Sequence, residues 1–360
     1  MAKLLRYFMG ANTPQGFVSR FDEMGDRQRG WRFTVIKGGP GTGKSTLMRK
    51  VTEAVAPRCP VVEQVYCSSD ADSLDGVIFP QHRLAIADGT PPHAMEPRYP
   101  GAYENLASLA GCWDQEQLYN NRAAIFDLTD RISSCHRESV SYLYGADALL
   151  GEVRQMAAQA SSKEKIQRLA QRLAKNELPK REGPGEETVR LVSAVTNKGH
   201  ICFTDTIQAQ APKLYLLDDP WGYAAPQLLA QLRQLALDAG HQVVTCVCPM
   251  APFTRIDHLL LPQLGLGFAT RNRFHPVDLP AHRVIHARRF ADADQLAARK
   301  LRIKFLLRGA ENMLEQASAR IADAKALHDQ LEAMYGAAMD YGKVEEVTRE
   351  VVARFLAQSR

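Results

Sequence analysis

The chain has 360 residues and a mass of 40.0 kDa, which exceeds the usual size of one domain and predicts two. Hydrophobic residues make up 45% and charged residues 24%, as in globular proteins, and no apolar run reaches the 18 residues of a membrane span. The first ten residues lack the long apolar stretch of a secretory signal, so we expect the protein in the cytoplasm. The net charge of +5 is spread along the chain and does not by itself indicate nucleic-acid binding.

The seven cysteines are scattered, odd in number and without a Cys-x-x-Cys pair. This pattern argues against a disulfide framework and against a zinc ribbon. We therefore expect buried, reduced thiols.

A glycine-rich loop lies between a predicted strand and a predicted helix near the start of the chain. Residues 31–37 read Trp-Arg-Phe-Thr-Val-Ile-Lys, a β-rich run, and residues 46–55 have apolar positions at helical spacing. The loop between them has the pattern Gly-x-x-x-x-Gly-Lys-Ser of a phosphate-binding loop, and we predict that it binds a nucleotide through Gly38, Gly39, Pro40, Gly41, Thr42, Gly43, Lys44, Ser45 and Thr46.

The chemistry of phosphate binding explains this spacing. Glycines let the backbone N–H groups converge on the phosphates at the positive end of the helix. Lys44 would neutralise the β- and γ-phosphates, Ser45 would ligate Mg²⁺, and Thr46 would contact the α-phosphate. The chain has no Asn-Lys-x-Asp guanine motif, which favours ATP over GTP.

A second Mg²⁺ ligand should lie at the end of a neighbouring strand, because the metal sits beside the phosphates at the carboxyl edge of the sheet. Asp88 ends the apolar run Leu84-Ala-Ile-Ala and is predicted to be this ligand and a catalytic residue with Lys44. It could instead only begin the turn Asp-Gly-Thr-Pro. Asp70 and Asp72 are alternatives, and Asp75 is a poorer candidate.

Long helical stretches follow the β-rich part of each half. Residues 125–156 and 303–334 carry apolar or small side chains at alternating steps of three and four, the heptad pattern of a packed helix, with Arg320 the one misfit. Shorter helices are predicted at 163–175 and 344–358. We expect each to fold back on the long helix before it and form an antiparallel hairpin, which could also bind a protein partner.

The chain also contains a weak internal repeat with a period of about 182 residues, which indicates a domain duplication. Phe33-Thr-Val-Ile aligns with Leu214-Tyr-Leu-Leu, and Leu84-Ala-Ile-Ala aligns with Leu266-Gly-Phe-Ala. On this alignment the second half lacks a phosphate loop.

The residues that replace the loop could not bind phosphate in the same way. Ala225 replaces Lys44, and Pro226 replaces Ser45. Asp219 places a negative charge near the phosphate position, and Thr270 replaces Asp88. We predict one nucleotide per chain.

These patterns predict an α/β fold of two duplicated three-layer α/β/α domains with mainly parallel sheets, each followed by a helical hairpin. The predicted divisions are a phosphate-loop core at 1–102, a hairpin at 103–178, a linker at 179–187, a degenerate core at 188–290 and a second hairpin at 291–360.

The chain resembles an uncharacterised family of bacterial tandem P-loop ATPases. The resemblance rests on the loop through Leu47, on Ala87-Asp-Gly-Thr-Pro-Pro-His93 with Tyr99-Pro-Gly-Ala, and on Val192-Ser-Ala-Val-Thr-Asn-Lys-Gly. It implies a P-loop nucleoside triphosphate hydrolase fold, nucleotide binding and hydrolysis. Both halves of that family commonly carry the loop, and this chain departs from it in its second half.

Three hypotheses follow from these residues. The first is a Mg²⁺-dependent ATPase whose degenerate half and hairpins respond to nucleotide. The second is a kinase for a small molecule or nucleotide, with His93 near the acceptor; the third is a nucleotide-dependent switch that does not hydrolyse. Arg83 and Arg98 are candidates for stabilising a phosphoryl transition state, although structural roles are the simpler interpretation.

Overall fold

A computed structural model describes residues 2–91 and 95–359. The chain is a mixed α/β protein with two six-stranded, mainly parallel sheets, one in each half. No helix among the described residues has the length and apolar character to cross a membrane.

The described residues of the first half form eight strands and four α-helices. The strands are β1 Lys3–Phe8, β2 Gly10–Thr13, β3 Gly16–Ser19, β4 Arg32–Lys37, β5 Val61–Tyr66, β6 Leu74–Phe79, β7 Leu84–Asp88 and β8 Glu104–Ser108. The helices are α1 Lys44–Val55, α2 Gln115–Asn120, α3 Arg122–Ala160 and α4 Lys163–Glu177.

In the second half, the part of the chain that the structure describes, through residue 359, forms eight strands and five α-helices. The strands are β9 Glu186–Arg190, β10 Ser193–Thr196, β11 Gly199–Cys202, β12 Lys213–Asp218, β13 Gln242–Val247, β14 Ile256–Leu261, β15 Leu266–Arg271 and β16 Arg283–His286. The helices are α5 Thr204–Gln210, α6 Ala224–Asp238, α7 Ala293–Ala298, α8 Lys300–Ala337 and α9 Tyr341–Gln358.

The two sheets have the same strand order. The first runs β8-β4-β7-β6-β5-β1 and the second β16-β12-β15-β14-β13-β9. In each, one strand, β6 or β14, is antiparallel to both of its neighbours, and a small separate hairpin, β2–β3 or β10–β11, accompanies the sheet. The strands that the sequence alignment paired therefore occupy the same places in the two halves.

The predicted divisions need two changes. β8 lies inside the segment 103–178 that we expected to be helical, and it pairs with β4 as an edge strand of the first sheet. The last residues of the expected linker 179–187 belong to β9, because Glu186 and Glu187 pair with Gln242 and Val243 of β13.

The expected helical hairpins within each half do not form. The long helices α3 and α8 pack instead against each other and run antiparallel, since Glu152 pairs with Arg302 while Glu138 lies 3.7 Å from Arg320. The Arg320 guanidinium thus reaches a carboxylate of the facing helix, which accounts for the misfit in the heptad pattern. The apolar seams of α3 and α8 are buried by each other.

The shorter helices also pack on the opposite half. The apolar face of α4, formed by Ile166, Leu169 and Leu173, is buried against α6 of the second half. The corresponding face of α9 packs on α1 of the first half, and Phe355 of α9 meets Phe79 of β6 edge-on at 6.0 Å. In each half, therefore, one amphipathic helix packs on the other half.

Candidate functional site

The glycine-rich loop joins the end of β4 to the start of α1. Its backbone requires glycine at two positions, because Gly41 and Gly43 have φ values of 63° and 87°, in the left-handed region. Gly43 caps α1, and its carbonyl accepts the Leu47 N–H at 2.9 Å. The free N–H groups at the start of this 12-residue helix consequently point toward the loop.

Lys44 lies at the centre of the site. Its Nζ donates to the Gly39 carbonyl at 2.6 Å and to the Gly38 carbonyl at 3.3 Å, and it lies 3.5 Å from Asp88 Oδ2. The Lys44 and Asp88 side chains are only 11% and 12% exposed, so this charge pair is largely shielded from solvent.

Asp88 begins the turn that the sequence offered as its alternative role, and its second oxygen faces the glycine-rich loop. It ends β7, opposite Ile36 of the parallel strand β4. Its Oδ1 accepts hydrogen bonds from the Thr90 N–H at 2.9 Å and the Thr90 hydroxyl at 2.6 Å, which is the ordinary turn chemistry. The other oxygen, Oδ2, faces Lys44. The turn thus orients the carboxylate toward the loop.

The hydroxyl groups of the loop are placed differently from one another. Ser45 Oγ accepts the Leu74 N–H at 3.2 Å, which ties the start of α1 to β6. Thr42 is buried, and its hydroxyl donates to the Gly39 carbonyl at 2.9 Å. Thr46 is exposed, and Pro40 lies in the turn of the loop.

The alternative acids are held by other groups. Asp70 Oδ2 lies 3.4 Å from Lys325 Nζ, and Asp72 pairs with Lys198. Asp75 is buried on β6 beside Cys67; burial and the negative charge of Asp75 raise the pKa of that thiol. Of these carboxylates and Asp88, the described contacts join only Asp88 to Lys44.

The remaining candidates are His93 and two arginines. His93 lies outside the described residues. Arg83 precedes β7, at the opposite end of that strand from Asp88 and about 15 Å away at strand spacing, so it does not reach the loop. Its guanidinium donates instead to the Arg29 carbonyl at 2.9 Å. The backbone N–H of Arg98 lies 3.4 Å from Glu104.

The sequence did not reveal that α8 touches the loop. A Cβ atom on Gly41 would lie 2.7 Å from the Glu332 carbonyl oxygen, and one on Gly39 would lie 2.6 Å from the Tyr335 ring. Tyr335 in turn meets Trp113 edge-on at 6.2 Å. Two loop glycines therefore allow close contact with a helix of the other half.

The corresponding loop of the second half is filled by its own carboxylate. Asp219 Oδ1 accepts the N–H groups of Trp221 and Gly222 at 3.2 and 3.1 Å, and Oδ2 accepts that of Ala225 at 2.9 Å. Asp219 is 1% exposed, and burial raises the pKa of its carboxyl although these amides act in the opposite direction. The negative charge expected near the phosphate position thus occupies the amides at the start of α6.

A small cavity of about 60 Å³ lies next to this loop. Its lining includes His200, Asp257, Thr270 and His275, and His275 Nε2 lies 2.8 Å from Asp257 Oδ2. Despite burial, which acts to raise it, the pKa of Asp257 is held below its usual range by His275 and Arg255. The Asp257–His275 pair stabilises a polar interior in the half that lacks the phosphate loop.

One group of potential metal ligands is found among the described residues. The ligand atoms of His328, Asp329 and Glu332, on the last turns of α8, lie within 4.8 Å of one another. Asp329 also pairs with Lys325, which neutralises part of the negative charge of this group.

Comparison with known proteins gives no relatives: no protein-family model, no curated protein and no solved structure matches the chain.

Proposed function

We propose that the chain is a P-loop protein that binds one ATP with Mg²⁺ in its first half and hydrolyses it. The observation that supports this most is the contact between Lys44 and Asp88 across the ends of two adjacent parallel strands. A lysine after a glycine-rich loop and an acid on the neighbouring strand are the two charged groups that a Mg²⁺–nucleotide site requires. The two similar sheets would be duplicated P-loop domains.

The site residues would have separate roles. The loop amides and the start of α1 would bind the β- and γ-phosphates, and Lys44 would leave the Gly38 and Gly39 carbonyls to neutralise the phosphate charge. Ser45 and Asp88 would hold Mg²⁺, directly or through water. The metal would polarise the γ-phosphate and the protein would position it.

The second half would bind no nucleotide. Asp219 already satisfies the loop amides that a phosphate would need, and its negative charge would repel one. Ala225 supplies no cation. Stoichiometry should therefore be one ATP per chain.

A nucleotide-dependent switch without hydrolysis is a second candidate, favoured by the contact between α8 and the loop. Tyr335 and Glu332 lie against Gly39 and Gly41, so a change in loop conformation would displace the end of α8. A measurement of ATP hydrolysis distinguishes this switch from the ATPase proposed first.

The proposal is tested by measuring ATP binding and ADP release for wild type, Lys44→Ala and Asp88→Asn, each with and without Mg²⁺. We expect Lys44→Ala to weaken ATP binding at least about tenfold, because it removes the cation that balances the phosphates. Asp88→Asn should lower Mg²⁺-dependent turnover by about 100-fold or more with a smaller loss of binding.

Lys50→Ala, an exposed lysine of the same helix, is the matched control and should behave as wild type. Unchanged ATP affinity in Lys44→Ala would contradict the site assignment. If wild type binds ATP but hydrolyses it no faster than Lys44→Ala, the result would support the switch.

A further inference from the structure

Two segments carry the net positive charge of the chain. Residues 163–181 contain seven lysines and arginines against two acidic residues, and residues 283–308 contain eight against two. These 45 residues therefore carry a net charge of +11, and the rest of the chain, whose total is +5, carries −6. The charge is segregated and not spread along the chain, which corrects the expectation from composition.

The two segments adjoin each other in space. At the start of α4, the Ser162 N–H donates to the Phe290 carbonyl at 2.9 Å. At its end, Glu177 accepts the Tyr215 hydroxyl at 2.6 Å, and the Tyr215 ring meets His282 at 5.2 Å, next to β16. The two ends of α4 therefore lie beside residues that flank β16, the edge strand of the second sheet, and its charges and those of the second segment are on neighbouring elements.

The surface of these two segments, which we call the basic strip, is open to solvent. Its exposed members are Lys163, Lys165, Arg168, Arg172, Lys175, Lys180, Arg181, Arg283, Arg288, Arg289, Lys300, Arg302, Lys304 and Arg308. Arg302 pairs with Glu152, and within residues 2–91 and 95–359 the other members form no ion pair. Glu164 lies near Lys163 and Arg168, and Asp292 lies near Lys165. The strip thus presents uncompensated charge.

We propose that the basic strip binds the phosphate backbone of a nucleic acid. A row of unpaired cations releases condensed counterions when it meets a polyphosphate, and this release drives such binding. Eight of the fourteen members are arginines, whose planar guanidinium groups bind phosphate oxygens in pairs. At one end of the strip, Leu301 and Phe305 are 83% and 75% exposed on α8, where unpaired bases could stack on the ring.

The packing of α4 favours nucleic acid over an anionic membrane. A basic amphipathic helix binds a membrane by inserting its apolar face. In α4 that face, formed by Ile166, Leu169 and Leu173, is already buried against α6. Among the described residues of the two segments, the exposed large apolar side chains are Val284, Leu301 and Phe305.

The test measures fluorescence anisotropy of labelled single-stranded RNA, single-stranded DNA and duplex DNA of about 30 nucleotides, without ATP, from about 50 to about 200 mM salt. Two charge-reversal variants probe the strip: Arg172→Glu with Lys175→Glu on α4, and Arg288→Glu with Lys304→Glu on the second segment. Lys343→Glu with Arg349→Glu, exposed on α9, makes the same change in net charge and is the control.

We expect wild type to bind at least one of the three nucleic acids and to lose at least about tenfold in affinity over this salt range. Each strip variant should bind at least about tenfold more weakly at the lowest salt, with the slope of log affinity against log salt reduced by about two. The control should stay within about twofold of wild type. Circular dichroism establishes that each variant is folded.

Three results would overturn the proposal. The first is that folded wild type binds none of the three nucleic acids, and the second is that the control variant loses as much affinity as the strip variants. The third is that wild type binds phosphatidylserine vesicles in a salt-dependent way but no nucleic acid, and that the strip variants lose this vesicle binding. Because every measurement omits ATP, failure here would leave the nucleotide site untouched.

Discussion

At the scale of single residues, the two halves differ most in what binds the amides of their equivalent loops. In the first half the loop carbonyls hold Lys44, and the proposed function assigns the amides at the start of α1 to a phosphate. In the second half Asp219 binds the amides itself. The sequence indicated that the charge of Asp219 lies near the loop but not that its carboxylate accepts the loop amides, since that depends on a side-chain geometry no motif encodes.

The Asp219 carboxylate should therefore be important for stability. Asp219→Ala leaves buried N–H groups without an acceptor and should lower the free energy of unfolding by about 1 to 3 kcal/mol. Asp219→Asn, which keeps an acceptor oxygen, should lose less. The measurement is urea denaturation followed by circular dichroism.

Asp238→Ala is the control, because this exposed carboxylate at the end of the same helix accepts a side-chain hydrogen bond from just one residue that the structure describes, Gln234. A loss in Asp219→Ala no larger than in Asp238→Ala would show that the loop amides do not depend on the carboxylate.

His258 should make stability depend on pH. It is fully buried, and burial lowers the pKa of its imidazole to about 3. The folded state thus keeps it neutral, while the unfolded chain protonates it below about pH 6.5. Its contribution is fully present above pH 6.5 and is lost as the pH falls, by about 2 kcal/mol between pH 6.5 and pH 5.

Urea denaturation of His258→Gln at these two pH values should show a smaller loss of stability than wild type. The exposed His282→Gln serves as the comparison. A pH dependence in His258→Gln equal to that of wild type would contradict the assignment of a neutral, buried imidazole.

At the scale of elements, the sequence predicted the strands β4, β7, β12 and β15 and the helices α1, α3, α4, α8 and α9, but not which helices pack together. The β-rich runs and the loop indicated β4, β7 and α1, because strand and loop patterns are local. A heptad pattern shows only that a helix has an apolar seam, and any helix with a matching seam can pack against it. The short helix predicted soon after the first long helix suggested a hairpin, yet the apolar face of α4 packs against α6.

The contact of α8 with the phosphate loop should hold the loop in its nucleotide-free conformation. Tyr335→Ala removes the ring that lies on Gly39, so the loop should rearrange around phosphate at lower cost. We expect ATP to bind about three- to tenfold more tightly, measured by calorimetry. Tyr144→Ala, which removes an exposed tyrosine of α3, should have no effect. Weaker ATP binding in Tyr335→Ala would mean that the ring supports the bound state instead.

At the scale of the whole molecule, the exchange of helices makes the halves interdependent. Each sheet is covered on one side by a helix from the other half, α9 on the first and α4 on the second. The repeat predicted two similar units, which the strand orders match, but separate units would have been the simplest expectation. Whether the two units exchange helices depends on long-range packing, which no local sequence pattern encodes.

Polypeptides 1–182 and 183–360 should therefore fold together and not apart. Alone, each would expose the apolar face of α4 or α9 and the surface that this face covers. We expect separately expressed polypeptides to be insoluble or to lack a cooperative thermal transition, and co-expressed ones to co-purify in equal amounts. Two independently stable, monomeric halves would contradict the exchange.

The exchanged helices also bear on how such a chain could arise. A single half with the same helices could satisfy its apolar surfaces only by trading helices with a second copy, and that pairing would weaken on dilution. Joining two copies end to end makes the partner permanent and fixes its effective concentration. Once the partner is permanent, one copy is free to lose its own phosphate loop while it continues to cover the loop of the other.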